Sequence, residues 1–286
     1  MRCLVLSGGA AKGAFSVGAL QHILGEKQVH YDAFCGVSVG AINASFLAMF
    51  KRGEEKLAIR NLTDLWLGLN NASIYKRWFP FGGLHSIWKR SFFDSSPLHN
   101  LLRKHIQLDR IRTSGKHVSV GAVSLSSGKY TIFDQAHDHF IEAVTASSSF
   151  PGMLSPIEFD GQLWTDGGVK EISPIRKAID LGADIIDLII TSPTKRIKKF
   201  IANPTTVDIL KRSIDLSTDK IMANDIEMAE MYNRLAVAGL SNKKFVRINI
   251  IRPETNLIED LLDFRPHKIR EMMEIGYQTA VANFRG

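Results

Sequence analysis

Residues 34–43 read FCGVSVGAIN and place one serine between two closely spaced glycines. Small and apolar residues follow this stretch as far as Phe50, and this order predicts a strand, a tight turn and a helix. Gly36 and Gly40 would let backbones approach closely at the turn, so that Ser38 projects its hydroxyl beside the N-terminus of the helix. Such a serine suits nucleophilic catalysis. An ordinary glycine-rich turn has the same spacing and stays open as the alternative.

Composition indicates an ordinary globular protein. The chain has 286 residues, of which 45% are hydrophobic and 23% charged, enough for one large α/β domain or two small ones. A net charge of +7 would suit an anionic membrane surface or nucleic acid. No zinc-finger, helix-turn-helix or RNP-like motif supports the second option, so we expect no nucleic-acid partner.

The cysteines and the N-terminus bear on the cellular compartment. Cys3 and Cys35 lie in apolar, strand-like runs, which predicts reduced, buried thiols and neither a disulfide nor a metal site. The first apolar run ends at Ser7, too early for a signal peptide, and no apolar stretch is long enough to cross a bilayer. We therefore expect a cytoplasmic protein, with peripheral contact with membranes as an open possibility.

The N-terminal half alternates strands and helices. A strand over 3–6 precedes a glycine-rich loop over 7–13 and a helix over 14–24, and the strand and helix around Ser38 follow. This order predicts a three-layer α/β/α fold with a mostly parallel central sheet. Ligands bind such sheets at the carboxyl ends of the strands, where both the loop and Ser38 would lie.

The glycine-rich loop allows two uses. It lacks the Gly-x-Gly-x-x-Gly pattern, and Ala14-Phe15 stands where a P-loop has Lys-Ser or Lys-Thr, so nucleotide binding is the weaker alternative. The other use is an oxyanion hole, in which consecutive backbone N–H groups face a developing negative charge.

The rest of the chain predicts a single domain over residues 1–286. Two hairpins (117–133 and 157–164) flank a helix over 140–147, and a buried strand follows at 185–191. The second hairpin leads directly into Asp166-Gly167-Gly168. A helix-rich portion over 193–286, with one strand at 245–251, shows no linker that would separate it from the core.

One segment mixes aromatic and basic residues. Residues 75–93 interleave Tyr, Trp and Phe with Lys and Arg, as an interfacial surface does. A capping layer whose aromatic rings are buried is an equal alternative. The basic run over 195–199 reads as solvated charge, with contact to anionic lipid as the alternative.

Three motifs in this order resemble the patatin-like phospholipase family. Residues 7–13 resemble its glycine-rich oxyanion loop with a basic residue, Gly36-Val37-Ser38-Val39-Gly40 its nucleophile elbow, and Asp166-Gly167-Gly168 its Asp-x-Gly motif. Residues 146–152 also resemble the small-residue-Pro-Gly stretch that the family places before that aspartate. The resemblance covers about residues 2–192.

The resemblance implies a lipid acyl hydrolase that works through a Ser-Asp dyad without metal or cofactor. Ser38 would be the nucleophile and Asp166 its general base, and the N–H groups of Gly8, Gly9 and Ala10 would form the oxyanion hole. A phospholipid or another acyl lipid would be the substrate. Supporting loop residues would be Lys12, Gly13, Gly36, Gly40, Gly167 and Gly168.

One residue departs from the family pattern. Ala10 stands where the family usually has glycine, which adds a Cβ beside the expected oxyanion hole. A lipid-binding protein without turnover and an acyltransferase on the same fold are the rival functions. The nine histidines lie outside any recognisable motif, so a triad is not indicated.

Overall fold

A computed structural model describes residues 1–78, 89–195, 205–240 and 244–284. The strands within these ranges are β1 (Arg2–Leu6), β2 (Ala33–Val37), β3 (Lys76–Arg77), β4 (Phe93–Asp94), β5 (His117–Ser124), β6 (Tyr130–Asp134), β7 (Ile157–Phe159), β8 (Gln162–Asp166), β9 (Ile185–Ile189) and β10 (Arg247–Ile251). The α-helices are Gly13–Leu20, Val39–Leu47, Glu55–Leu67, Asn71–Ile74, Ser96–His105, Leu108–Thr113, Phe140–Ser147, Ile175–Asp180, Thr206–Val237 and Pro266–Asn283.

One mixed sheet organises these elements. Its strand order is β10-β9-β1-β2-β5-β8-β7, and β6 also pairs with β5. The five strands from β10 to β5 are parallel, and β6, β7 and β8 are antiparallel to their neighbours. The predicted mostly parallel sheet is confirmed.

Both faces of the sheet are buried, as a three-layer fold requires. Along β1, Leu4 and Leu6 pack into one core, whereas Cys3 and Val5 pack into the other. The first core contains the Gly13–Leu20 helix and its neighbours, and the second contains the Ile175–Asp180 helix and part of the Thr206–Val237 helix. The α/β/α prediction is therefore confirmed.

The C-terminal portion joins the same layers as the N-terminal half. Strand β10 pairs with β9 in parallel, and the Pro266–Asn283 helix packs directly on the Gly13–Leu20 helix. Two glycines permit this close approach, because a Cβ on Gly18 would overlap the backbone of Met273 and one on Gly276 the carbonyl of Phe15. No helix in the described ranges combines the length and apolar character needed to span a membrane.

One predicted helix differs in detail, and one predicted hairpin is confirmed. The first predicted helix, over 14–24, is an α-helix only as far as Leu20 and continues as a π-helical turn over Gln21–Glu26. The second predicted hairpin is confirmed, with positive φ angles at both Asp160 (51°) and Gly161 (67°), the conformation of a type I′ turn.

The segment over 75–93 is described only at its two ends, and residues 79–88 of it lie outside the described residues, as do 196–199 of the basic run. The rings of Tyr75 and Phe93 lie 4.6 Å apart, and the Tyr75 hydroxyl donates to the Leu262 carbonyl at 3.2 Å. Phe92 is 56% exposed. The described ends thus include both packed rings and an exposed one.

Candidate active site

Ser38 occupies a strained turn between β2 and the Val39–Leu47 helix. Its backbone angles are φ 57° and ψ −131°, a region that residues other than glycine adopt only under strain. The flanking glycines are required by close packing: a Cβ on Gly36 would overlap the Gly40 carbonyl, and one on Gly40 the Leu6 carbonyl. The predicted strand, tight turn and helix are all present.

Two further serines hold the backbone of Ser38. Its N–H donates to Ser147 Oγ at 2.9 Å, and its carbonyl accepts from Ser148 Oγ at 3.1 Å. Both serines belong to the small-residue stretch over 146–152. The sequence pattern indicated that this stretch matters but not that its hydroxyls bind the peptide groups of Ser38.

The strand register brings Asp166 to the level of Ser38. Val37 lies opposite Gly121 on β5, and the next residue, Ala122, lies opposite Asp166 on β8. Because β8 is antiparallel to β5, Asp166 does not lie at the carboxyl end of a parallel strand, unlike Ser38 and the glycine-rich loop. It reaches that edge because β5 extends beyond the end of β2 and β8 pairs with the extension.

The Asp166 carboxyl is only 1% exposed. Its Oδ1 accepts from the Gly168 N–H at 2.7 Å, and its buried Oδ2 makes no hydrogen bond of normal geometry with the described residues. Burial raises the pKa of this carboxyl from 3.8 to about 7, and the Gly168 N–H and the neighbouring Ser38 hydroxyl oppose that rise. Asp166 thus combines a neutral-range pKa with proximity to Ser38.

Ser149 fixes the chain on the N-terminal side of Asp166. The Ser149 carbonyl accepts from the Asp166 N–H at 3.1 Å and from Thr165 Oγ1 at 2.7 Å. Since Ser147 and Ser148 bind Ser38, residues 147–149 connect the two residues directly.

Within the described part of the chain, two of the three predicted oxyanion donors, and not all three, lack a hydrogen-bond acceptor. The Gly8 N–H donates to the Ile172 carbonyl at 3.1 Å, which corrects its expected role as an oxyanion donor. The Gly8 carbonyl accepts from Thr191 Oγ1 at 2.6 Å, and the planar peptide therefore turns the Gly9 N–H the opposite way. Among the described residues, the N–H groups of Gly9 and Ala10 have no acceptor, and both residues line the cavity beside Ser38.

The remaining predicted residues support these groups. A Cβ on Gly13 would lie within 2.9 Å of Trp66, so glycine there lets the loop pack against the following helices. A Cβ on Gly167 would overlap the Gly121 carbonyl, and Gly168 donates to Asp166. Lys12 lines the cavity.

Ala10 has a left-handed backbone, with φ at 49°, which explains why glycine is usual at this position. We predict that Ala10→Gly raises the free energy of unfolding by about 1 kcal/mol, because glycine adopts this conformation without strain. Chemical denaturation measures the change. The matched control is Ala11→Gly, a buried neighbour in a one-turn 3-10 helix, which should lower stability by about 1 kcal/mol. An Ala10→Gly protein that is destabilised as much as the control would show that the backbone of Ala10 is not strained.

A largely apolar cavity of about 170 Å³ opens at Ser38. Apolar side chains supply most of its lining, namely Val39, Ile42, Leu65, Trp66, Leu69, Ile74, Leu98, Leu101, Phe150, Met153, Leu154, Ile172, Ile214, Leu261, Leu262 and Phe264. Of the described residues that line it, none is a histidine. The described part of the chain also contains no group of three or more His, Cys, Asp or Glu side chains that could hold a metal ion.

Known proteins resemble more than half of this chain. Calcium-independent phospholipase A2-gamma from Homo sapiens is 24% identical over 75% of this chain and 31% of its own length. The cGAMP-activated phospholipase of Vibrio cholerae is 27% identical over 61% of this chain and 55% of its own length. The chain thus spans less than a third of the human relative.

A solved structure and a family profile complete the comparison. The crystal structure of VipD from Legionella pneumophila aligns with 98% of this chain and 66% of its own, at a TM-score of 0.45 and 17% identity. The profile of the patatin-like phospholipase family matches residues 4–179, more than half of the chain and all three motifs around Ser38 and Asp166. The chain therefore belongs to the patatin-like phospholipase family.

Proposed function

We propose that this protein is a serine lipid acyl hydrolase, of the phospholipase A or lysophospholipase type, that cleaves fatty acyl esters through a Ser38–Asp166 dyad. One observation carries the proposal: a buried carboxyl with a pKa of about 7 interacts with a serine on a strained elbow. A serine hydroxyl is a weak nucleophile unless a neighbouring base takes its proton. The family and its phospholipase relatives support an ester of a lipid as the substrate.

The reaction follows from this arrangement in two steps. Ser38 Oγ attacks the ester carbonyl while its proton passes to Asp166, and the oxyanion accepts hydrogen bonds from the N–H groups of Gly9 and Ala10. Asp166 then gives the proton to the departing alcohol, which leaves an acyl-serine ester. A water molecule, deprotonated by Asp166, attacks that ester, and the proton returns to Ser38 as the fatty acid leaves.

The cavity supports a fatty acyl chain as the group that is transferred. The apolar part of its lining beside Ser38 is mostly leucine, isoleucine and aromatic side chains, and burial of each methylene there contributes about 0.8 kcal/mol. The absence of histidine among its described lining residues favours the carboxylate as the base.

The pKa of Asp166 predicts the pH dependence of turnover. Asp166 acts as a base only when ionised, so kcat/KM should rise with pH through about 7 and level off above it. At one pH unit below the midpoint, about a tenth of the plateau activity should remain. Initial rates on a short, soluble ester between pH 5 and 9 measure this profile.

Glu171 provides the control for that assignment. Its pKa is also raised to about 7, chiefly by burial, but it does not line the cavity beside Ser38. Glu171→Gln should leave the midpoint near 7, and a midpoint that disappears in this variant would assign the pH dependence to Glu171.

Product analysis tests the proposed function. Mass spectrometry of mixed phospholipid vesicles after incubation should detect free fatty acid and the matching lysophospholipid. The Ser38→Ala protein in parallel should produce neither. Equal products from both proteins would reject the proposal.

A further inference from the structure

Asp225 lies on the Thr206–Val237 helix, beyond the residues 4–179 that match the family. Its Oδ2 accepts two backbone hydrogen bonds, from the N–H of Ile172 at 3.0 Å and from the N–H of Ser173 at 2.9 Å. The side chain is partly buried. Asp225 thus ties the long helix to the segment that follows Asp166.

Ile172 joins the two loops that meet at Ser38. Its carbonyl accepts the Gly8 N–H at 3.1 Å, and its side chain lines the cavity. A Cβ added to Gly8 would lie 3.1 Å from Ile172 Cγ1, and a Cβ added to Gly168 would lie 3.7 Å from the same atom. The Ile172 side chain therefore lies against both glycines. A displacement of Ile172 would therefore move the glycine-rich loop relative to Asp166.

Burial of the Asp225 carboxylate carries an energetic penalty. Burial raises the pKa of Asp225 to about 6, and the two backbone hydrogen bonds only partly offset that rise. Buried charged groups that cost stability are more easily explained by a role in a functional site than by stability alone.

We propose that Asp225 is a positioning residue for acyl transfer, which holds Ile172 and, through it, the amides of the glycine-rich loop against Ser38. The inference rests on the proposed function. It also makes the helix outside the family-matched region necessary for turnover.

The helix has other attachments that should preserve the fold without Asp225. Met222 and Ala229 are buried in the same core as Ile175, and Ser173 Oγ lies 3.2 Å from Met222 Sδ. Loss of the carboxylate should therefore release Ile172 locally, and leave two adjacent amides without an acceptor, while the helix stays in place.

The test compares Asp225→Ala, Asp225→Asn and Asp225→Glu with the wild type on a short, soluble ester. Asp225→Ala should lower kcat at least tenfold with KM within about threefold, since the reacting groups are misplaced but the cavity remains. Asp225→Asn should retain kcat within about threefold, because its amide oxygen can accept the same two N–H groups. Asp225→Glu keeps the charge but moves the carboxylate, so its kcat should fall. The matched control is Glu227→Ala, an exposed acid on the same helix, which should behave as the wild type.

Two results would overturn the inference: wild-type kcat in a folded Asp225→Ala protein, or an Asp225→Asn protein as impaired as Asp225→Ala. If Asp225→Ala does not fold, the comparison of Asp225→Asn with Asp225→Glu tests the proposal. A kcat equal to that of the wild type in both variants would reject the positioning role. Ser38→Ala is assayed in parallel. If wild-type hydrolysis does not depend on Ser38, the proposed function fails, which is a different result from an active wild type that is insensitive to Asp225.

Discussion

The Asp166→Asn protein is expected to be folded and as inactive as Ser38→Ala. An amide has nearly the same shape as a carboxyl and can still accept the Gly168 N–H, but it cannot take the proton of Ser38. Loss of a general base costs about 10²- to 10⁴-fold in rate, and we expect the upper end because no histidine among the described lining residues of the cavity could replace Asp166. Initial rates on a soluble ester measure the loss. Residues that act as a unit are not additive, so the double variant should be no worse than either single one.

Stability separates this loss of activity from unfolding. Because the pKa of Asp166 is raised from 3.8 to about 7, the folded protein holds a proton that the unfolded chain releases as the pH rises between these values. The free energy of unfolding therefore falls as the pH rises from 3.8 to about 7. The total loss is on the order of 4 kcal/mol, at about 1.4 kcal/mol per pKa unit. Asp166→Asn removes that loss and should be more stable than the wild type at pH 8, with a difference that shrinks toward pH 4.

Two outcomes would contradict the dyad. One is an Asp166→Asn protein that turns over at a rate close to the wild type. The other is a histidine whose alanine variant is folded yet as inactive as Ser38→Ala, which would indicate a triad. Alanine variants of all nine histidines should instead keep activity within roughly tenfold.

Gly9→Val should lower turnover by at least about 10²-fold, the usual cost of losing an oxyanion donor. Gly9 has φ at 149°, where a side chain is strained, and its Cβ would overlap Thr191 Oγ1. Thr191 Oγ1 is the group that fixes the Gly8 carbonyl, so valine would displace the peptide that presents the Gly9 amide. Because the apolar lining is unchanged, KM should change little, and steady-state kinetics separate the two effects.

Gly53→Val is the matched control for this substitution. Gly53 also has a positive φ, 92°, but nothing lies within 4 Å of its Cβ position. Both variants place a valine on a strained backbone, so both should lose stability, whereas only Gly9→Val should lose activity. A fully active Gly9→Val enzyme would place the oxyanion hole elsewhere.

The local features of the site were predictable from the sequence. A strand, a tight turn and a helix are encoded by the residues that form them, so the spacing of Gly36 and Gly40 predicted the turn around Ser38, although an ordinary glycine-rich turn has the same spacing. The alternation of strands and helices along the N-terminal half likewise predicted helices on both faces of a mostly parallel sheet. These predictions depend on short-range periodicity and on the conformational freedom of glycine.

The remaining features depend on contacts between distant residues. No sequence pattern indicates that the Gly8 amide bonds to Ile172, that Ser147 binds the Ser38 amide or that Asp225 binds two amides on another element. Each is a hydrogen bond between side chain or backbone groups far apart in the chain, set by packing of the finished fold. The antiparallel direction of β8 also depends on which neighbour it pairs with, and its sequence does not specify that.

Labelling with a fluorophosphonate probe tests the central claim most directly, because the probe reacts covalently only with an activated serine. Intact-mass measurement followed by peptide mapping should locate a single adduct on Ser38, formed at a rate that rises with pH through about 7. The adduct should be absent from Ser38→Ala and strongly reduced in Asp166→Asn. A folded wild-type protein that takes up no probe, or an adduct at another serine, would contradict the Ser38–Asp166 dyad.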